Sequence, residues 1–346
     1  VGSEMCIRDR DRADALVGFL EAMLSRDPAW EPRTLEEWVR GCFGDWIAEK
    51  YLVPYNEKVW KRPLSQISAD WVRIPGRLPV PDWRSVVKAA AGVPVIGYAE
   101  QSTFFYPLQG GVQALFDSVM ERVKERGATI VRGEHVSHLR KLGNRWVING
   151  RYRARMVVST IPLREVVNAV EGAPKEVEEA ARRLDYNRVV VVGIALKRTA
   201  PDHHWVYVPD RDVIFHRYAW VSNYSPYNAP KGHSALIAEV TLPPRASVEL
   251  SEVGDQTVAS LEKLGVIREE EVMFVRTWFH EYGYPVYTLD HAKWRGLILE
   301  WLESQGIVSV GRWGRWHYWN MDKVFENVRQ LIPPPGKPFD NVNMMA

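Results

Sequence analysis

Arg217 and Tyr224 stand seven positions apart in a segment that runs from Phe215-His216-Arg217 to Ser222-Asn223-Tyr224-Ser225-Pro226-Tyr227-Asn228. A guanidinium fork suits the oxygens of a pyrophosphate, and a tyrosine hydroxyl adds a neutral donor without excess charge. Taken alone, the same residues also describe a surface arginine beside an Asn/Ser/Pro turn. A second concentration lies near the C-terminus, where Trp313, Trp316, Tyr318 and Trp319 fall within seven positions, together with Arg312 and Arg315. A single Trp usually fills a core, but a cluster of rings and guanidinium groups on one loop also suits a ligand. Other chemistries lack support. His203-His204 have no carboxylate or cysteine at metal-ligand spacing, and Ser159 sits in no GxSxG elbow. The two cysteines, Cys6 and Cys42, form no CxxC pair, which argues against a disulfide framework and structural zinc and fits a reducing, cytoplasmic setting.

The composition is that of a globular chain with ample core: 346 residues, 46% hydrophobic and 25% charged. Disorder, collagen and low-complexity scaffolds are excluded. Lys plus Arg total 45 against 43 for Asp plus Glu, so bulk charge directs the protein neither to nucleic acid nor to an anionic membrane. The longest uninterrupted apolar stretch, Val189 to Leu196, contains a glycine and is far short of the roughly 18 residues of a membrane span. The first ten residues, VGSEMCIRDR, show neither periodicity nor a signal-peptide pattern and read as a translated junction. The expectation is that residues 1–10 are non-native and that the natural chain begins upstream of Asp11.

The elements that must position these residues are legible in outline. A helical pattern runs from Ala13 to about Leu24, and Thr34-Leu35-Glu36-Glu37 is a capping box that opens a helical region reaching about Trp60. Proline and glycine break regular structure from Arg73 to Pro81. Gly110-Gly111 opens a helix whose apolar face (Val112, Leu115, Phe116, Val119, Val123) predicts packing, with Gly127 as its stop. Strands are expected at Thr129–Arg132, Arg145–Ile148 and Ala154–Thr160, then at Val189–Lys197, Trp205–Val208, Val213–Val221 and Ala235–Thr241. Helices return at about Ser251–Leu264 and Asp290–Ser304. A buried strand at Ile307–Val310, a loop from Gly311 to Asp322, a last helix and an extended PPPGKP tail complete the chain. No internal repeat is present.

Two pieces of this layout resemble the FAD-binding fold shared by amine oxidases, protoporphyrinogen oxidases and UDP-galactopyranose mutases. One is Tyr106-Pro107-Leu108-Gln109-Gly110-Gly111 with its helix, the following strand and the strand end Val157-Val158-Ser159-Thr160-Ile161-Pro162. The other is the strand, Gly311-Arg312, loop and Asn320-Met321-Asp322 helix start. Helix N-termini of this kind offer free amides to an anionic cofactor. The resemblance implies an α/β (α+β) protein with a Rossmann-like FAD/NAD(P)-binding fold and a β-rich and helical substrate domain. It also implies FAD contacts from Val136, Thr160, Gly311, Arg312, Met321 and Asp322. That fold begins with a βαβ unit carrying GxGxxG, and no such pattern occurs in this chain. The reading is therefore a fold lacking its first βαβ unit, an N-terminally truncated fragment expected to bind FAD weakly or not at all. The implied domains are a helical substrate-binding region at 11–100, FAD-binding parts at 101–187 and 290–332, a β-rich substrate domain at 188–289, and a tail at 333–346.

Within the superfamily, the resemblance from about Thr34 to Arg329 is to UDP-galactopyranose mutase, especially its eukaryotic-type branch. Pro54-Tyr55-Asn56-Glu57-Lys58-Val59-Trp60 matches the stretch whose Asn and Trp line a uridine pocket, so Asn56 and Trp60 inherit that role; a packed helix is the alternative. Arg217, Tyr224, Tyr284 and Tyr318 match the diphosphate-binding and catalytic positions, and Asn320 joins the substrate set. Departures are plain. Gln101 stands where the mutases carry Asn, a second diphosphate arginine aligns only with a shift onto Arg73, and the loop between Tyr318 and Asn320 is shorter. The implied function is interconversion of pyranose and furanose forms of a UDP-sugar, in which N5 of the reduced flavin attacks the anomeric carbon and releases UDP. The alternatives are a FAD-dependent oxidoreductase of the amine oxidase or protoporphyrinogen oxidase type, and a non-catalytic fragment. The implied partner is a small-molecule substrate, with no nucleic acid and no membrane span.

Overall fold

A computed structural model describes residues 9–74, 77–95 and 103–331 of the chain. Helix α1 (Asp9–Ser25) precedes α2 (Leu35–Ile47), which starts where the capping box predicts. The Thr34 hydroxyl accepts the Glu37 amide at 3.1 Å, and the Glu37 carboxylate accepts the Thr34 amide at 3.2 Å. Two amides that the first helical turn leaves without partners are thereby satisfied. Gly44 breaks α2 with φ 77°, at the point where the backbone of α1 passes Gly18. A wider turn at Ala48–Leu52 leads into α3 (Val53–Trp60), which ends at Lys61 in the left-handed region (φ 53°). Next come α4 (Trp83–Ala90) and α5 (Gly111–Glu125).

The apolar face of α5 is not covered by the described residues. Val112, Leu115, Phe116, Val119 and Val123 are 38–53% exposed. The strand expected at Thr129–Arg132 does not form either. A strand exists only through a ladder with a neighbour, and among the described residues this segment has none. Periodicity reports that a face is apolar, not what lies across from it.

The chain continues through the antiparallel meander β1 (Leu139–Leu142), β2 (Arg145–Ile148) and β3 (Tyr152–Ala154), then β4 (Val157–Ser159). The strand expected at Ala154–Thr160 is thus divided between β3 and β4. Helices α6 (Leu163–Ala169) and α7 (Lys175–Arg183) precede β5 (Asp185–Leu196), β6 (Trp205–Tyr207), β7 (Arg217–Ala219) and β8 (Ser234–Leu242). Then follow α8 (Leu250–Lys263), the long strand β9 (Val272–Val286), α9 (His291–Ser304), β10 (Ile307–Ser309), the short α10 (Gly311–Gly314) and α11 (Met321–Leu331).

These elements form two compact units, one of Val1–Ile130 with Asn187–Gly283, the other of Val131–Tyr186 with Tyr284–Ala346. The segment 101–187, which the family pattern groups together, therefore divides at Ile130. In the first unit a sheet of order β6-β7-β8-β5-β9 is packed by Val192, Ile194, Phe215, Trp220, Leu236 and Leu261, all at most 2% exposed. Strand β7 is shorter than the expected Val213–Val221, because Val221–Asn223 turns off the sheet as a single 3-10 turn. In the second unit β4 and β10 pair in parallel, with Val157, Val158 and Ser159 opposite Ile307, Val308 and Ser309. No helix among the described residues is long and apolar enough to cross a membrane.

Lys58 ties α3 to the loop after β6. Its ammonium, on a buried side chain, donates to the carbonyls of Val208 (3.0 Å) and Asp210 (2.7 Å). Burial, with the nearby Lys61 charge, pushes its pKa down to about 8, against the partial support of Asp210 and Asp212. A lysine whose folded pKa lies below its unfolded value near 10.5 makes stability rise with pH between the two. Urea midpoints at pH 7.5, 9 and 10 should therefore increase for the wild type relative to Lys58→Met, and a constant difference would refute the assignment.

Candidate functional site

Arg217 opens β7 opposite Tyr207 of β6 and Glu239 of β8. Its guanidinium makes an ion pair with the Glu239 carboxylate at 2.5 Å and lies over the Trp205 ring, 4.6 Å from the centroid. Both charged side chains are largely withdrawn from water, at 20% and 13% exposure. Two neutral donors have buried polar atoms with no acceptor among the described residues: the Tyr224 hydroxyl and the Trp205 indole nitrogen. Tyr224 is packed edge-on against Phe104 and Tyr106 (5.1 and 5.4 Å) and stacked on His204 (6.1 Å). Burial pushes its hydroxyl up to about 12, so it remains a donor. The loop carrying it is fastened by Ser225, whose hydroxyl donates to the Leu108 carbonyl at 2.5 Å, and by Asn228, whose amide donates to Val221. His216, next to Arg217, is buried and kept neutral by that burial, with Nδ1 3.1 Å from the Thr241 hydroxyl.

Trp205 and Tyr207 are functional candidates that the residue-type reading missed. The alternation of β6 puts both on one face, and the hairpin register sets Tyr207 against Arg217. The signal was the strand itself, read as framework only.

The two uridine-pocket positions have a different environment from the expected one. Asn56 is 2% exposed and Trp60 fully buried. The Asn56 amide donates to the Leu52 carbonyl (2.8 Å) and accepts the Trp60 indole (3.3 Å), while Trp60 packs edge-on against Trp71. These are the contacts of a helix-core pair with its polar groups satisfied internally, so the packing alternative describes both residues. Arg73 is exposed and pairs with Asp70 at 3.3 Å, one helical turn away, an arrangement that contributes little and marks no anion site. Gln101 lies outside the described residues.

In the second unit, Tyr284 and Tyr318 stack at 5.3 Å between centroids, and the Arg312 guanidinium lies 4.4 Å from the Tyr318 ring and 5.7 Å from Tyr284. Arg312 also donates to the Trp319 carbonyl at 3.2 Å, which closes the loop around it. The sequence separates these residues by up to 34 positions, and the fold brings the three together. Just before Tyr318, Trp316 is fully buried with φ 52°, a conformation that a bulky side chain adopts only when its surroundings compel it.

The carboxyl ends of β4 and β10 supply a second feature. Ser159 and Ser309 are register partners, and both have buried hydroxyls with no partner among the described residues. Gly311 follows in the left-handed region (φ 82°), and a Cβ at Gly314 would lie 2.7 Å from the Ser159 carbonyl. Ligands of open parallel sheets gather at such strand ends. Thr160, exposed, continues β4; Met321 and Asp322, both exposed, form the first turn of α11, where the Asn320 carbonyl accepts the Val324 amide; Val136 is half-buried ahead of β1. A flavin fits here in chemical terms, since orphaned hydroxyls, an unhindered glycine backbone and a helix N-terminus meet at one end of the pair. No group of His, Cys, Asp and Glu among the described residues is arranged to hold a metal ion.

The parallel strand ends of the second unit, with their glycine and helix N-terminus, are those of a Rossmann-like flavoprotein fold. The chain belongs to the flavin containing amine oxidoreductase family, whose pattern matches residues 43–324. Among solved structures it is similar to a reduced UDP-galactopyranose mutase, with a TM-score of 0.81 and 24% identity over 90% of this chain and 68% of that one. It is also similar to a CLA-producing fatty acid isomerase from P. acnes (TM-score 0.56, 15% identity, 94% of this chain and 74% of that one). A third similarity is to an oxidoreductase from Methanosarcina mazei (TM-score 0.53, 13% identity, 81% and 63%). At these identities the likeness establishes a shared fold.

Proposed function

We propose that the protein is a FAD-dependent enzyme of the UDP-galactopyranose mutase type, interconverting the pyranose and furanose forms of a UDP-sugar in the cytoplasm. The observation that carries this reading is the setting of Arg217, a largely desolvated guanidinium accompanied by two buried donors, Tyr224 Oη and Trp205 Nε1, that lack acceptors among the described residues. A diphosphate supplies the oxygens such donors need, and leaving them unsatisfied costs about 1–3 kcal/mol each. The reduced flavin, when bound, supplies the nucleophile for the anomeric carbon. The residues of this chain then hold the departing diphosphate, on which negative charge grows as the glycosidic bond opens. Donors aimed at that growing charge favour the transition state over the ground state. The family correspondence assigns Tyr284 and Tyr318 to diphosphate binding, and the arginine beside their stack supports that assignment. The family correspondence divides the chain into a cofactor part and a substrate part, and its 101–187 cofactor segment crosses the boundary between the two units at Ile130.

FAD-loaded protein, reduced with dithionite, should convert UDP-galactofuranose to UDP-galactopyranose, followed by chromatography. Absence of conversion by folded, flavin-loaded protein rejects the reading.

The oxidoreductase alternative draws on one observation, the Glu239 carboxylate beside Arg217. A cationic amine substrate would use that carboxylate, whereas a diphosphate competes with it. Glu239→Gln therefore discriminates, because it tightens UDP binding under the mutase reading and weakens an amine ligand under the other.

A further inference from the structure

We infer that Tyr287 and His317 are a positioning pair that fixes the loop bearing Tyr318 and so keeps its ring beneath Arg312. The functional consequence rests on the role proposed above for Tyr318, while the pair's geometry stands by itself within the second unit. Tyr287 follows β9 directly, and its hydroxyl oxygen accepts the backbone amide of Tyr318 at 3.0 Å. The same hydroxyl lies 2.8 Å from Nδ1 of His317. The hydroxyl can accept the amide and also pair with Nδ1 of His317, so one side chain holds both the Tyr318 backbone and the His317 ring.

Neighbouring contacts tie down the rest of the loop. The His317 ring stacks on Trp319 (4.5 Å, 17°), and the Tyr287 ring stacks on His291 (4.0 Å, 19°). His291 donates from Nε2 to the Trp316 carbonyl at 3.0 Å. Three consecutive residues, Trp316, His317 and Tyr318, are therefore held at a carbonyl, a ring and an amide by two side chains four positions apart in sequence, Tyr287 and His291. This is the segment in which Trp316 adopts its left-handed backbone.

The charged and titratable groups facing His317 are Arg295, His291 and Arg315. Burial first, then these neighbours, push its pKa down to about 2, which favours the neutral ring. The contact with the Tyr287 hydroxyl is available to a neutral ring in either tautomer. Neither Tyr287 nor His317 is placed against a ligand; both act through the amide of Tyr318.

Tyr287→Phe deletes the hydroxyl and keeps the ring that stacks on His291. In this variant the Tyr318 amide should exchange with solvent about tenfold faster, the effect of losing one hydrogen bond, while the Val308 amide in β10 is unchanged. UDP, titrated calorimetrically into the full protein, should bind about tenfold more weakly, with no further loss when Tyr287→Phe is added to Tyr318→Phe. His317→Gln, which displaces the Nδ1 partner of the Tyr287 hydroxyl, should accelerate the same amide and provides the test should Tyr287→Phe not fold. Unchanged exchange at Tyr318 in both variants overturns the pair. Faster exchange with unchanged UDP affinity overturns its link to recognition. A wild type that binds no UDP rejects the proposed function, and the exchange measurement still decides the positioning role.

Discussion

Replacing Arg217 with alanine should, on the proposed mutase function, cut reduction-dependent turnover of a UDP-sugar by about 100-fold or more and destabilise the fold, and the two losses should be separable. The guanidinium is held between the Trp205 ring and Glu239 in a largely desolvated position. Charge-assisted hydrogen bonds contribute about 1.5–3 kcal/mol each, so removing a forked donor is expected to lower kcat/KM by about 100-fold or more. The same truncation leaves the Glu239 carboxylate, 13% exposed, without its counter-charge. Breaking a buried pair from one side costs about 3–5 kcal/mol, chiefly through the stranded partner. The double variant Arg217→Ala with Glu239→Gln should therefore recover most of the stability, read as a urea midpoint, and none of the turnover. Glu239→Gln alone should bind UDP more tightly, because Arg217 no longer divides its charge between a carboxylate and the ligand. Weaker UDP binding in that variant would place Glu239 in ligand recognition and turn the argument towards a cationic substrate.

Local signals made the framework legible where the chain carries its own punctuation. The Thr34 capping box marks the start of α2 to the residue, and the helix expected at Asp290–Ser304 forms as α9, with Ile298 and Leu302 buried. The failures lie where structure depends on a partner. The α5 face and the Thr129–Arg132 segment have the pattern of packed elements but meet no cover among the described residues. Strand β9 was not anticipated, because its 15 residues carry rings and charges on both faces with no simple alternation. The site divides along the same line. Arg217, Tyr224, Tyr284, Tyr318 and Arg312 are candidates through a family pattern that records which residue types recur. Trp205 beside Arg217 and Ser309 opposite Ser159 are products of strand register, which single-sequence reasoning does not reach. Asn56 and Trp60 show the converse, since matching residue types at matching spacing here satisfy each other inside a helix.

Substituting Gly44 with alanine should be the most damaging single-methyl change in the first unit. Two costs combine at this residue. Its φ of 77° is a conformation that a Cβ disfavours by about 1–2 kcal/mol, and the helix break on which the α1–α2 packing depends cannot relax it away. In addition, a Cβ at this position would penetrate the carbonyl of Gly18 in α1, a backbone group that has no rotamer into which to retreat. Overpacking against a fixed backbone costs about 1–3 kcal/mol further, so a total of about 3 kcal/mol or more is expected. Gly92 provides the internal control, because it has nearly the same φ, 79°, and open space where its Cβ would be. Gly92→Ala should show the conformational cost alone, and the excess loss in Gly44→Ala, measured by urea denaturation under one set of conditions, then reports the contact with Gly18. Equal losses in the two variants would mean that α1 yields readily, and that the tight passage between Gly18 and Gly44 does not fix the position of α1 on α2.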